Sequence, residues 1–280
     1  MNEKVSVIIS TSGSLDRRDR FSDVLNSILA QEYCSLEVVV VWQGEPDEEF
    51  FQRYKSVTFI NRRLRNVCRC RNLGAESATG RYLWFIDDDT TVPNSKTLKF
   101  GVSVLESNNF DFLVANVICD GDFKALESHD RDFIIERRNL RGSFSEPGLL
   151  FKKECFLKIK FDDGIGIGCI HGSSEGFDLG ARLLKYGYKG QVTKDFQLSH
   201  PQILADTDEQ ALLQRIFFYS LGNGKVLITN KFYILYVYEL VKCLIFISLG
   251  LVTLNKNRMK VFTVRMLCLL LGPLIPKGDR

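Results

Sequence analysis

Apolar and polar positions alternate along the first two thirds of the chain between short unbroken apolar runs and longer segments with helical spacing. The runs Val5–Ser10, Leu36–Trp42 and Tyr82–Ile86 are of strand length and rich in β-branched and aromatic residues, the pattern of strands buried on both faces. Between the first two, Phe21, Val24, Leu25, Ile28 and Leu29 recur at helical spacing, with Ser22 or Asp23 able to cap. Asp47–Tyr54 predicts a short helix and Val57–Ile60 a third strand. The alternation of strand and helix predicts a mainly parallel sheet flanked by helices, an α/β architecture whose ligands gather at the carboxyl ends of strands. Downstream, the same pattern predicts a helix from Asn66 closed at Gly80, a helix over Ser95–Glu106, and strands over Phe110–Cys119, Pro147–Lys152 and Lys189–Phe196. It also predicts helices opening at Glu175 and over Asp206–Leu221, the latter stopped by Gly222 and Gly224. Asp120–Arg141 is charged and weakly periodic, an insertion or loop in which Arg137, Arg138 and Arg141 read as a solvated face.

The last fifty residues follow another rule. Phe232–Leu254 is apolar over about 23 residues, roughly 34 Å as a helix and enough for a hydrocarbon core of roughly 30 Å. Glu239 and Lys242 interrupt it near the middle, at a spacing that lets them pair. Basic Lys256, Arg258 and Lys260 precede a second apolar piece, Val261–Ile275, that contains Arg265. Two helices lying in the cytoplasmic leaflet, a transmembrane hairpin and a buried core helix are the three readings, and the first is favoured.

Composition adds limits. With 280 residues and 45% apolar content the chain can bury a sizeable core, and a net charge of +3 is too mild to argue for nucleic acid. Eight cysteines without a CxxC pair or zinc spacing suit a reducing cytoplasm. The segment from Met1 to Ile9 is too short and too soon polar for a signal peptide, so the soluble part is expected inside the cell.

The candidate chemistry sits where the Tyr82–Ile86 run stops at Asp87, Asp88 and Asp89. Adjacent carboxylates repel unless a cation is shared, and such oxygen ligands suit Mg2+ or Mn2+ bridging to phosphates; a solvated acidic turn is the plain alternative. Ser10 and Thr11 open a small-residue loop that lets a backbone approach a ligand, and Thr11, Gln43 and Asp87 all fall at the ends of strands. Arg71 near a helix N-terminus suits a diphosphate, or simply an acidic neighbour. The glycine-rich Asp162–Ser174 loop is no dinucleotide fingerprint; it leads to Glu175 and Asp178 at a helix N-terminus, where anions are stabilised. Asp178 also stands four residues before Arg182, a spacing for a surface pair. His200, fixed beside Pro201, is either structural or a metal ligand.

Taken together, these residues resemble the family 2 glycosyltransferases of GT-A fold over roughly Val5–Leu227. The resemblance rests on Val5–Ile9, Arg71–Gly74 with Ala78–Gly80, Phe85–Asp89, Ser174–Glu175 with Asp178–Leu179 and Arg182–Tyr188, and His200–Pro201. It implies a DxD motif at Asp87 and Asp89 that holds Mg2+ or Mn2+ on a nucleotide-sugar, with Asp89 the direct ligand, Asp87 nearer the nucleotide and His200 a third partner. It implies a base in the Glu175 region and inversion at the anomeric carbon. Two positions depart from the family: Gly176 stands where relatives carry an Asp that acts as base, leaving Glu175, Asp178 or a residue outside the motif, and Trp42–Gln43 stands where an Asp reads the nucleotide base. Trp42 offers a ring to stack and Gln43 an amide.

The expected arrangement is a GT-A domain over residues 1–228 and apolar membrane-associated helices over 229–280, at the cytoplasmic face of the membrane. The expected function is metal-dependent transfer of a hexosyl or deoxyhexosyl group to a glycan or lipid-linked acceptor, in surface polysaccharide synthesis. A non-catalytic nucleotide-sugar binding or scaffold protein is the alternative that Gly176 motivates. A nucleotidyltransferase is disfavoured because Ser10–Arg20 only faintly echoes its glycine- and basic-rich loop.

Overall fold

Val5, Val7 and Ile9 share a face with Val38, Val40 and Trp42 and with Tyr82, Trp84 and Ile86, and this face is buried under helical residues Phe21, Val24, Leu25, Ile28, Leu98, Val102 and Leu105. The alternate residues Ile8, Val39, Val41, Leu83 and Phe85 are buried too, with Phe85 against Phe151, Phe156 and Phe161. Burial on both faces is why these strands carry no polar alternation. The computed structural model describes residues 3–63, 65–119, 129–144, 146–201 and 208–279. Asp120–Ser128 of the charged segment and Asp206 at the expected start of a helix lie outside them.

The elements in chain order are β1 (Val5–Thr11), a 3-10 turn (Leu15–Arg17), α1 (Arg18–Leu29), β2 (Leu36–Trp42), α2 (Glu48–Arg53), β3 (Val57–Asn61), α3 (Val67–Ser77) and β4 (Tyr82–Asp87). Then come α4 (Thr97–Ser107), β5 (Phe112–Cys119), β6 (Phe133–Ile134), β7 (Leu149–Lys152), α5 (Lys153–Ile159), α6 (Glu175–Lys185), β8 (Gly190–His200), α7 (Glu209–Thr229), α8 (Tyr233–Val252) and α9 (Lys256–Leu271). One sheet has the order β3-β2-β1-β4-β7-β5-β8-β6. β1, β2, β3 and β4 are parallel, as are β5 and β8, whereas β7 runs antiparallel between β4 and β5. The chain divides into two compact units: Met1–Arg65, Arg69–Phe161 and Leu179–Ile203 in the first, Asn66–Cys68, Asp162–Asp178 and Leu204–Arg280 in the second.

Three local expectations are corrected. The first helix starts at Arg18 behind a 3-10 turn, not near Phe21, so neither Ser22 nor Asp23 caps it. The strand expected over Lys189–Phe196 continues to His200, because a register shift at Ala115/Asn116 absorbs the polar Lys194 and Asp195 and pairing then resumes. α7 runs straight through Gly222–Gly224. A Cβ on Gly222 would stand 2.5 Å from the Ser173 carbonyl oxygen, and one on Gly224 would strike that of Leu269. These glycines permit close packing of backbones and do not stop the helix.

Under the amino ends of the strands, Glu37 accepts from the Ser6 hydroxyl, from the Thr79 backbone N–H at 2.8 Å, from the Thr79 hydroxyl at 2.9 Å and from Lys4 Nζ at 3.3 Å. Burial by itself raises its pKa, but these donors outweigh burial and bring it from 4.5 to about 2. A folded-state value below the unfolded one stabilises the fold above pH 4.5, and the contribution is lost as pH falls towards 2. Glu37→Gln should therefore cost about 1–2 kcal/mol at pH 7, with the gap in melting temperature from the wild type closing as the pH is lowered.

In the second unit, α8 is long and apolar enough to cross a membrane, and little of it is buried. Ile234, Val237, Tyr238, Leu244, Ile245 and Val252 are exposed, while Glu239 is fully buried. Its carboxylate is met by Arg265 of α9 at 2.8 Å, a partner that the spacing to Lys242 did not suggest. Arg265→Ala should destabilise this helix pair by about 3 kcal/mol, since it strips a guanidinium from a buried carboxylate. Thermal melts in detergent check this, and Glu239→Gln combined with Arg265→Met should recover most of the loss.

Candidate active site

In the first unit the ends of β1, β4 and β8 converge. Parallel register puts Ser10 beside Asp87 and Thr11 beside Trp42. A two-way backbone bridge between Thr91 and Ser199, at 2.8 and 2.9 Å, ties the loop after β4 to the end of β8. His200 consequently arrives beside the acidic cluster, with Nε2 3.4 Å from Asp89 Oδ1.

Each carboxylate has its own environment. Asp87 meets Arg71 Nη2 at 2.6 Å, and that guanidinium is buried over the Phe161 ring. Asp88 is buried, accepts from the Thr11 hydroxyl at 2.7 Å and pairs with Arg17 at 2.8 Å. Arg17 also reaches Asp89 at 3.7 Å. Burial raises the Asp88 pKa, helped by repulsion from Asp89 and Asp87 and opposed by the Thr11 hydrogen bond and Arg17. The repulsion expected among three adjacent acids is thus offset by two arginines. Arg71 pairs with an acid of the cluster, Asp87.

Several candidates take different roles from those expected. Thr11 and Asp88 are spent on each other. Both side chains are buried. Trp42 is buried among Phe21, Phe50, Phe51 and Phe59, and its indole N–H donates to the Glu45 carbonyl at 2.7 Å, so it is not exposed to stack on a base. Ser10 and Gln43 are half-buried at the strand ends. Arg17 was not among the expected site residues, yet it meets both Asp88 and Asp89. Its signal was a cation placed just after the loop that follows the first strand.

A divalent ion would find at Asp89 and His200 a carboxylate oxygen and an imidazole nitrogen side by side, donors that suit Mn2+ or Mg2+ when a ligand's phosphates complete the shell. Among the described residues no group of three His, Cys, Asp or Glu side chains is gathered for a metal. Asp87 is turned to Arg71 and does not close such a group.

In the second unit, Glu175 and Asp178 occupy the first turn of α6, and both are buried. Asp178 accepts from the Asn230 side chain at 2.9 Å, which anchors it to the end of α7 and takes it off the surface. Glu175 follows Ser174, whose φ of 74° is left-handed in a residue that is not glycine, a strained entry to the helix. The Glu175 carboxyl lies over Gly166, where a Cβ would come within 3.0 Å of Cδ and where φ is 107°. Glycine is what lets this loop pass under the acid.

Residues 6–174 match the profile of Glycosyl transferase family 2. The chain belongs to this family. The match ends just before Glu175, so Glu175, Asp178 and His200 lie beyond it. Among curated relatives of this family 2 chain, the glucosyl-dolichyl phosphate glucuronosyltransferase of Haloferax volcanii is 38% identical over 96 residues, 31% of this chain and 30% of that protein. Glycosyltransferase GlyA of Streptococcus pneumoniae is 21% identical over 187 residues, 59% of this chain and 26% of that protein. The chain therefore spans less than a third of the length of these relatives. Among solved structures, a mannosyltransferase from Pyrobaculum calidifontis in complex with GDP-Man and Mn2+ superposes with a TM-score of 0.60 at 16% identity, covering 98% of this chain and 88% of that one. S. aureus TarS 1–349 in complex with UDP-GlcNAc gives 0.57 at 16% identity, over 78% and 66%. At such identities the likeness speaks for the fold, a GT-A-like sheet with flanking helices.

Proposed function

We propose that this chain transfers a hexosyl or deoxyhexosyl group, with inversion and with the help of a divalent metal, from a nucleotide-sugar to a hydroxyl of a glycan or lipid-linked acceptor in surface polysaccharide synthesis. The observation that carries the metal-site reading is the Asp89–His200 pair at 3.4 Å, set at the carboxyl ends of buried strands where an α/β sheet receives ligands. Asp89 and His200 would hold Mg2+ or Mn2+, with Asp87 nearer the nucleotide; when bound, the ion supplies neutralisation of the charge on the departing diphosphate. Asp88, Thr11 and Arg17 keep the loop that carries Asp89 in shape. Glu175 accepts the proton of the acceptor hydroxyl as its oxygen bonds to the anomeric carbon, and the bond to the diphosphate oxygen breaks with its electrons leaving on the nucleoside diphosphate. Asp178, engaged by Asn230, positions the helix turn.

The donor-binding domain is assigned to residues 1–228 and membrane-associated helices to 229–280. The exposed apolar face of α8 and the basic residues Lys256, Arg258 and Lys260 support attachment to an anionic cytoplasmic leaflet. The test is a thermal-shift panel of nucleotide-sugars on the full chain in detergent, with Mn2+ and with EDTA. Stabilisation by one donor that EDTA removes is the expected result, and no stabilisation by any donor would sink the reading. Gly176 favours one second reading, a nucleotide-sugar binding or scaffold protein without catalysis: it would bind the same donor and turn over none.

A further inference from the structure

The loop that carries Glu175 does not stand alone. Beyond α9, the segment Gly272–Asp279 runs along it and bonds to it repeatedly. Ile170 N–H donates to the Gly278 carbonyl at 2.9 Å, and Cys169 forms an antiparallel bridge with Asp279. Lys277 pairs with Asp162, and Asn66 Nδ2 reaches both Asp279 Oδ1 at 3.1 Å and the Asp163 carbonyl at 2.8 Å. The segment is itself held from α7, where Lys225 Nζ donates to the carbonyls of Pro273 at 3.0 Å and Ile275 at 3.1 Å.

His171 is the pivot of this arrangement. It is fully buried, and its Nε2 lies 2.9 Å from the Gly272 carbonyl. A carbonyl only accepts, so Nε2 carries the proton. Nδ1 is then a buried acceptor without a hydrogen-bond partner, an arrangement that costs stability and calls for a reason. The His171 carbonyl in turn accepts from Gly166 N–H at 2.7 Å and Ser173 N–H at 3.0 Å. Gly166 is the residue over which the Glu175 carboxyl lies. Gly272 is therefore linked by hydrogen bonds through His171 to Gly166, the glycine whose missing side chain leaves room for the Glu175 carboxyl.

We propose that the Gly272–Asp279 segment is a positioning element for the proposed base: by gripping His171, Ile170 and Asp162 it fixes the loop shape that seats Glu175. The proposal rests on the reading of Glu175 as base. It makes His171 and Lys277 positioning residues with no contact to substrate. In effect the chain beyond α9 completes the scaffold of the loop that leads to Glu175.

The test uses the full chain in detergent, as wild type, His171→Leu, His171→Gln, Lys277→Ala and Glu175→Gln. Two quantities are read: hydrogen exchange in peptides covering residues 163–174, and steady-state release of nucleoside diphosphate from the donor that the thermal-shift panel selects. In His171→Leu the loop amides should exchange about tenfold faster while α4 and α8 keep their protection. Its kcat should fall about a hundredfold, the cost of misplacing a reacting group by about 1 Å, with the donor KM unchanged. The Gln amide can donate to Gly272 as Nε2 does, so His171→Gln should restore both quantities. Lys277→Ala should show the same split in milder form. Unchanged exchange in His171→Leu overturns the proposal, as does a loosened loop with full turnover while Glu175→Gln is inactive. Full turnover by Glu175→Gln is a different failure: it removes the base assignment, and the positioning role falls with it whatever the loop does.

Discussion

Asp89→Ala should remove the metal-dependent part of donor stabilisation and lower kcat/KM by about three orders of magnitude if the proposed ion site is right. The substitution takes away the carboxylate that faces His200 at 3.4 Å, and with it the oxygen donor of the proposed ion site. Arg17 loses its longer contact, at 3.7 Å, but keeps Asp88 at 2.8 Å, and Thr11 still holds Asp88 from the other side. The loop should thus stay folded, and the melting temperature without ligand should move little. Donor titrations followed by thermal shift in Mn2+ and in EDTA, beside steady-state kinetics, separate the two effects. Loss of the Mn2+ increment with an unchanged apo melting temperature is the expected pattern; an Asp89→Ala protein with wild-type kcat/KM would return the acidic cluster to a structural turn. Asp88→Ala makes the contrast, because it strips partners from Thr11 and Arg17 and should lower the apo melting temperature as well.

Glu175→Gln should lower kcat by about 10³-fold and leave donor binding intact. The amide keeps the size of the carboxyl, so the close passage over Gly166 is preserved and the loop does not have to move. What is lost is the ability to take a proton. Donor affinity from the thermal-shift titration should match the wild type within about twofold, placing the whole effect on turnover. Equal loss in Asp178→Asn without loss of stability would point to the other acid. Given the bond between Asp178 and Asn230, Asp178→Asn should instead melt at a lower temperature.

The central strands were legible because a strand covered on both faces has no polar positions to confuse the period: Val5–Ile9, Leu36–Trp42 and Tyr82–Ile86 could be little else. The place of the acidic cluster, at the end of such a run, was legible with it. The partners of the charges were not. Arg17, Arg71 and His200 reach Asp87–Asp89 from distant stretches, and only the sheet order brings them together. Gly222 and Gly224 misled because helix termination and close helix packing both select glycine for its missing side chain. β8 ran past its expected end because a bulge lets a strand absorb extra residues, shift register and then resume pairing. Trp42 sits at a strand end, where ligands gather, yet its indole is consumed by a cluster of phenylalanines gathered from α1, α2 and β3.

The Glu239–Arg265 contact bears on how the protein is made. During synthesis α8 leaves the ribosome before α9, and until Arg265 follows, the carboxylate at Glu239 lacks the guanidinium that meets it in the folded chain. An apolar helix carrying such a charge is a poor substrate for early, stepwise delivery to a bilayer. On the proposed membrane attachment, the two helices are better delivered as a finished pair, after translation has passed Arg265, with Glu239 and Arg265 already joined and the exposed apolar side chains of α8 turned to the bilayer.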